Sequence, residues 1–185
     1  MFCATKSLIL RSLAGPSGID RVISCAFRTA FARSEEAFLA GLMHDIGKSV
    51  MAMKFPERYG SVIRTVYNQE IDYLQLELDT FGFDHAMVGE ALLHAWNLAT
   101  SMEHALRWHH EPQEAGPEYR PLAALVALGN QLALDQGVGL GRPEYLAHAT
   151  EQAVAILGIP PADLPGLREQ VLEALEMDKS VIKEL

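Results

Sequence analysis

The sequence predicts an all-α fold, a bundle of helices joined by short loops. Three observations carry that prediction. Apolar residues recur at three- and four-residue spacing along most of the chain. Ser, Asp or Pro stands before those runs and Gly after them, as helix start and stop chemistry requires. No run of β-branched residues alternates with polar ones, so no strand is expected.

The elements follow in order. Residues 6–14 read as a short helix stopped by Gly15-Pro16-Ser17-Gly18, which divides an N-terminal segment, 1–17, from a helical domain, 18–185. Asp20 can cap a helix whose apolar face is Val22, Ile23, Ala26, Phe27, Ala30 and Phe31. Ser34 is a good N-cap for the next, with Glu35 and Glu36 in the first turn where the helix dipole favours acids. Its inward face is Phe38, Leu39, Leu42 and Met43, and it ends in His44-Asp45 before Gly47. Pro56 opens a helix to about residue 68, and Leu74, Leu76, Leu78 and Phe81 mark another over 70–80. Asp84 caps a helix over 85–96 with Met87, Val88, Ala91 and Leu92, and Ser101 caps one over 102–110. Residues 112–120 form a loop; helices follow over 121–135, near 143–157 and over 164–177. Trp96, Trp108, Met43, Met51 and Met53 read as core residues.

Composition bounds the partners. The 185 residues are 49% hydrophobic, enough for one domain with a real core. A net charge of -9 with only scattered Lys and Arg argues against a nucleic-acid surface or an anionic membrane surface. Cys3 and Cys25 read as free thiols of a reducing compartment, and no leader or membrane span is apparent, so a cytoplasmic protein is expected.

The chemistry gathers at histidines. His offers a neutral nitrogen and Asp a hard oxygen, so His44-Asp45 is half of a site for a divalent metal. Of the seven histidines, His85 and His94 lie nine residues apart on one helix and face opposite ways. His104 is five residues before His109 and faces elsewhere, and His148 is isolated. The candidate set is His44, Asp45, His85, His109 and His110, all at helix ends. Lys48 can hold a phosphate as a point charge, or simply complement a helix dipole.

These residues carry a resemblance. Phe38-Leu39-Ala40-Gly41-Leu42-Met43-His44-Asp45-Ile46-Gly47-Lys48 resembles the signature of the HDOD domain, the HD-related output domain of bacterial signalling proteins. So do Gly82-Phe83-Asp84-His85-Ala86-Met87-Val88-Gly89, then Leu92-Leu93 and Trp96-Asn97-Leu98, His109-His110-Glu111-Pro112, and Ala127-Leu128-Gly129-Asn130-Gln131-Leu132-Ala133. The resemblance covers roughly residues 18–178 and implies an HD-domain-like helical bundle. It relates the chain to the HD superfamily of metal-dependent phosphohydrolases, whose active members use a metal-bound hydroxide against phosphorus. It implies metal ligands at His44, Asp45, His85, His109 and His110, with iron, manganese, zinc or magnesium as the metal. Two departures weaken the chemistry. Asn130 stands where the superfamily has a late Asp, and no His precedes His44. The chain also starts almost at the HD-like half, without the family's usual N-terminal helical lobe; the surface that lobe would cover favours a homodimer. The expectation is therefore a regulatory module with a vestigial metal site, acting on a signalling protein or a small-molecule signal. The alternative is a metal-dependent phosphohydrolase of a nucleotide or cyclic dinucleotide, with Lys48 assisting.

Overall fold

The computed structural model of the chain describes residues 34–69, 71–135, 137 and 146–169. The helices expected before residue 34, the division near residue 17, Cys3, Cys25 and the stretch 170–177 lie outside the described residues.

Among the described residues the fold is all helical: α1 (Ser34–Met43), α2 (Ile46–Lys54), α3 (Pro56–Gln69), α4 (Tyr73–Phe81), α5 (His85–Ala95), α6 (Thr100–Trp108), α7 (Arg120–Asp135) and α8 (Ala147–Leu157). Single 3₁₀ turns, Pro112–Glu114 and Pro161–Asp163, follow α6 and α8. The expected punctuation is largely present. The Asp84 side chain accepts the Met87 N–H at 2.7 Å, and Asp72 caps α4 through the Leu74 N–H. Gly82 ends α4 at φ 78°, a left-handed conformation open to glycine, and Gly158 ends α8 likewise.

Two boundaries differ in ways that matter. The helix expected to run into His44-Asp45 stops at Met43, and a new helix begins at Ile46. The pair therefore forms the corner between α1 and α2. Ser101 does not cap α6; it lies inside the helix, buried, and its hydroxyl donates to Glu36 on α1.

α7 is the central helix, with every residue from Ala123 to Ala133 buried. It packs on α1, α6 and α8, and the largest core cluster surrounds it, with Leu125, Leu128, Leu132, Leu157 and Ile159. A second cluster, Met51, Tyr59, Val62, Val66 and Tyr73, holds α2, α3 and α4 together. Leu93, Met102 and Leu106, with Met43 and Ile46, pack between the two.

The contact faces are built from small residues, which lets helix axes approach closely. α1 buries Ala37 and Ala40, whereas Leu39, expected inside, is 43% exposed. α5 buries Ala86, Gly89 and Leu93, and leaves Met87 at the surface. The α2–α5 crossing is tightest: a Cβ on Gly47 would lie 1.9 Å from the His85 carbonyl oxygen. Met53 and Trp96 are exposed, so neither anchors the core as expected; Met51 does.

Candidate metal centre

The close α2–α5 crossing and the packing of α6 on α1 and α5 bring four helix ends to one point. His44-Asp45 arrives at the α1–α2 corner, His85 as the first residue of α5, and His109-His110 directly after α6. All five expected residues converge. Asp45 is the hub: its Oδ2 lies 3.4 Å from His44 Nε2, and its Oδ1 lies 3.4 Å from His85 Nε2 and 4.0 Å from His109 Nε2. His110 Nε2 is 3.2 Å from His85 Nε2. Two overlapping triads, His44–Asp45–His109 and His85–His109–His110, each hold one donor atom per residue within 4.8 Å of the others.

The imidazoles are oriented, not merely near. His44 Nδ1 donates to the Gly41 carbonyl at 2.8 Å and His109 Nδ1 to the Leu106 carbonyl at 2.7 Å. His85 Nδ1 donates to Glu77 Oε2 at 2.6 Å. Each bond fixes a tautomer with the Nε2 lone pair turned inward, the arrangement that second-shell partners impose on metal-binding histidines. His109 Nε2 is buried and makes no hydrogen bond. A buried acceptor without a donor is costly in a protein interior, and a metal ion relieves it. The donor set thus fits a divalent cation.

Glu77 is the functional residue that sequence reasoning missed. It is fully buried and accepts three bonds: Tyr59 Oη–H at 2.7 Å, the His85 N–H at 2.8 Å and His85 Nδ1. Burial pushes its pKa up, but the bonds from His85 and Tyr59 outweigh this and hold the carboxyl below its ordinary value. Tyr59 is driven the other way, by burial first and by Glu77 beside it. A signal existed. Tyr73, Glu77 and Phe81 stand at four-residue spacing, so the acid sits in the middle of an otherwise aromatic stripe.

Lys48, one turn into α2, places Nζ 2.9 Å from Asp45 Oδ1 and 4.7 Å above the Tyr73 ring. Burial opposes its charge; Asp45 and Glu77 more than compensate, and its pKa lies above the ordinary value. The pKa values of His109 and His110 fall well below the usual one, through burial and then through their imidazole neighbours, which keeps both neutral and able to ligate. Asn130 is buried on α7 and brings no charge. The other histidines face elsewhere, as their spacing predicts. His104 stacks on Tyr119, His94 is exposed beside Glu103, and His148 bonds Gln152.

Beside the centre, a cavity of about 340 Å³ runs along α4, α5 and the end of α6, with His110 in its wall. Leu74, Leu78, Ala86, Met87 and Trp108 give it apolar surface, and Asp72, Asp84 and Glu111 line it as well. Arg107 also lines it, but its guanidinium stacks on Trp108 and pairs with Glu90 at 3.5 Å.

An all-helical domain whose helix-end histidines converge on the Asp of a His-Asp pair is of the HD type. Residues 22–112 match the HDOD domain model, so the chain carries an HDOD domain over that stretch. Asn130 falls beyond the matched stretch. A Treponema pallidum (strain Nichols) protein of no assigned role is 30% identical over 95 residues, 51% of this chain and 18% of that protein. The chain thus spans under a fifth of that relative's length. Among solved structures, a Marinobacter aquaeolei VT8 protein provisionally described as a signal transduction protein aligns with TM-score 0.72 at 24% identity, over 98% of this chain and 38% of the other. A Shewanella amazonensis SB2B protein provisionally described as a phosphohydrolase aligns at TM-score 0.64 and 23% identity, over 95% of this chain and 62% of the other. An HDOD domain protein of Geobacter sulfurreducens aligns at 0.60 and 20%, over 93% and 62%. At these identities the structural likeness establishes the fold. No helix among the described residues is long and apolar enough to cross a membrane.

Proposed function

We propose that the chain is a signal-transduction module that works by binding, with a divalent metal held at its histidine centre and without phosphoester hydrolysis of its own. His44, Asp45 and His109, or His85, His109 and His110, would hold the ion. So nitrogen-rich a set suits zinc or iron better than magnesium, which prefers oxygen ligands. Bound there, the metal would supply Lewis acidity and tie four helix ends together.

The observation that carries this reading is the charge of the cavity reaching His110. A phosphoryl substrate needs cationic groups aimed at its oxygens. Here the cavity is lined by three carboxylates, and its one arginine is engaged with Glu90. The mixed apolar and acidic lining suits an uncharged or cationic surface, such as a segment of a partner protein or a small signal molecule.

The second reading, a phosphohydrolase of a nucleotide or cyclic dinucleotide, has one observation in its favour. Lys48 carries its ammonium right at the centre, where it could meet a phosphate. Purified protein supplied with zinc, iron(II), manganese or magnesium separates the two. Against aryl phosphomonoesters, phosphodiesters and cyclic dinucleotides it is expected to give no turnover above metal alone. Turnover that disappears on Asp45→Asn would establish the hydrolase instead.

A further inference from the structure

We propose that Lys48 is a tethered cation that competes with the divalent metal for Asp45, so that metal binding drives its ammonium out of the centre. This rests on the metal reading above, which it extends to the control of metal affinity.

Lys48 Nζ forms an ion pair with Asp45 Oδ1 at 2.9 Å, the same oxygen on which His85 Nε2 and His109 Nε2 converge at 3.4 and 4.0 Å. A metal would bind that oxygen and the imidazoles at about 2.0–2.2 Å. With Lys48 still in place, a dication and an ammonium would share one carboxylate oxygen and stand about 5 Å or less apart, repelling with twice the energy of two unit charges.

The exit is open. The Lys48 side chain is 23% exposed, and its four-carbon stem is flexible. The Tyr73 ring lies 4.7 Å beneath the ammonium, a cation–π contact. In the metal-free state Lys48 offsets the charge of Asp45, so the histidine cage is ready before metal arrives. The cost is a weaker metal site, which suits reversible metal sensing better than a permanent cofactor.

The test is metal affinity, not activity. Zinc and cobalt(II) binding to the full chain would be measured by competition with a chromophoric chelator, for wild type, Lys48→Met and Asp45→Asn, each checked for folding by thermal melt. Loss of the competing charge is expected to tighten binding about tenfold or more, a change of one decade per 1.4 kcal/mol. The cobalt absorption spectrum should match in wild type and Lys48→Met, and Asp45→Asn should bind weakly. If wild type binds through Asp45 but Lys48→Met binds equally or more weakly, the competition is overturned and the metal reading stands. If neither folded protein binds metal, both fall. A measurement on wild type alone guards against a variant that does not fold. Acylation of Lys48 by an amine reagent, followed by peptide mass spectrometry, should speed up several-fold when zinc is added. An unchanged or slower rate overturns the proposal.

Discussion

His44 and His109 are held by their own helices, whereas His85 is held by a carboxylate from another. The difference follows from which helix end each occupies. A helix C-terminus exposes carbonyls without partners, and a terminus at the start exposes N–H groups. His44 and His109 follow the last turns of α1 and α6, so each Nδ1–H finds a carbonyl three residues back, Gly41 or Leu106. His85 opens α5, where the backbone offers only donors. Its ring needs an acceptor from outside, and Glu77 on α4 accepts both the ring Nδ1–H and the His85 backbone N–H. Half of the centre is thus oriented by local geometry, and the other half by a buried charge that tertiary packing must deliver.

The largest expected effect comes from removing that charge. Glu77→Ala leaves the His85 N–H, the His85 ring and the Tyr59 hydroxyl without their acceptor in the interior, a loss of about 3–5 kcal/mol. Urea unfolding would show it. Metal affinity sharpens the contrast: the His85 ring should lose its orientation, while His44 and His109 keep theirs. A Glu77→Ala protein as stable as wild type would show that His85 has a local support after all.

Gly47→Ala should cost somewhat less, about 3 kcal/mol, because a Cβ there overlaps the His85 carbonyl and forces α2 and α5 apart. The damage should concentrate on the half that depends on packing. Amide hydrogen exchange would localise it to α2, α4 and the start of α5, with α7 and α8 still protected. Uniform loss of protection would instead mean that the two core clusters unfold as one unit.

The same contrast explains what the sequence revealed. The backbone-anchored histidines are legible because their position at helix ends is itself a sequence feature, and the Asp84 cap sets the register of α5. Glu77 is hidden in the sequence because the leucines of α4 point to the opposite face as the inward one. The buried face is the other one: Tyr73 and Glu77 point inward, and Leu78 is 40% exposed. Short helices with apolar residues on both sides do not declare which side faces in. Leu39 faces out, and Met87 lies at the surface, for a related reason. Their helices turn inward through alanine and glycine, small residues that periodicity reads as weakly apolar but that permit close crossings. The corner at His44-Asp45 left no mark of its own, since neither Pro nor Gly interrupts the chain between α1 and Ile46. It follows from tertiary packing of α2 against α5.

The two halves should also separate in pH, with the smallest effect. His109 faces His44, His85 and Asp45, donates to the Leu106 carbonyl, and its pKa lies well below the usual value because burial, then those imidazoles, disfavour its charged form. His110 is shifted the same way by burial, His109, His85 and Lys48. For both, the unfolded chain binds more protons than the folded one below the unfolded pKa of about 6.5. Their stability contribution is therefore complete above about pH 6.5 and declines as the pH falls towards their folded values, by at most about 1.4 kcal/mol per pH unit for each histidine. Glu77 titrates lower. Its folded pKa is depressed from 4.5, so its contribution is complete above about that pH and is lost only on further acidification. Urea titrations at pH 7, 6 and 5 on metal-free protein should show stability already falling while the Glu77–His85 bond is intact. The Glu77 carboxyl resonance in an NMR titration should hold through that range and move only below it. A stability flat from pH 7 to 5, or the Glu77 carboxyl shifting first, would break the division between a histidine pair limited by burial and a histidine held by a buried carboxylate.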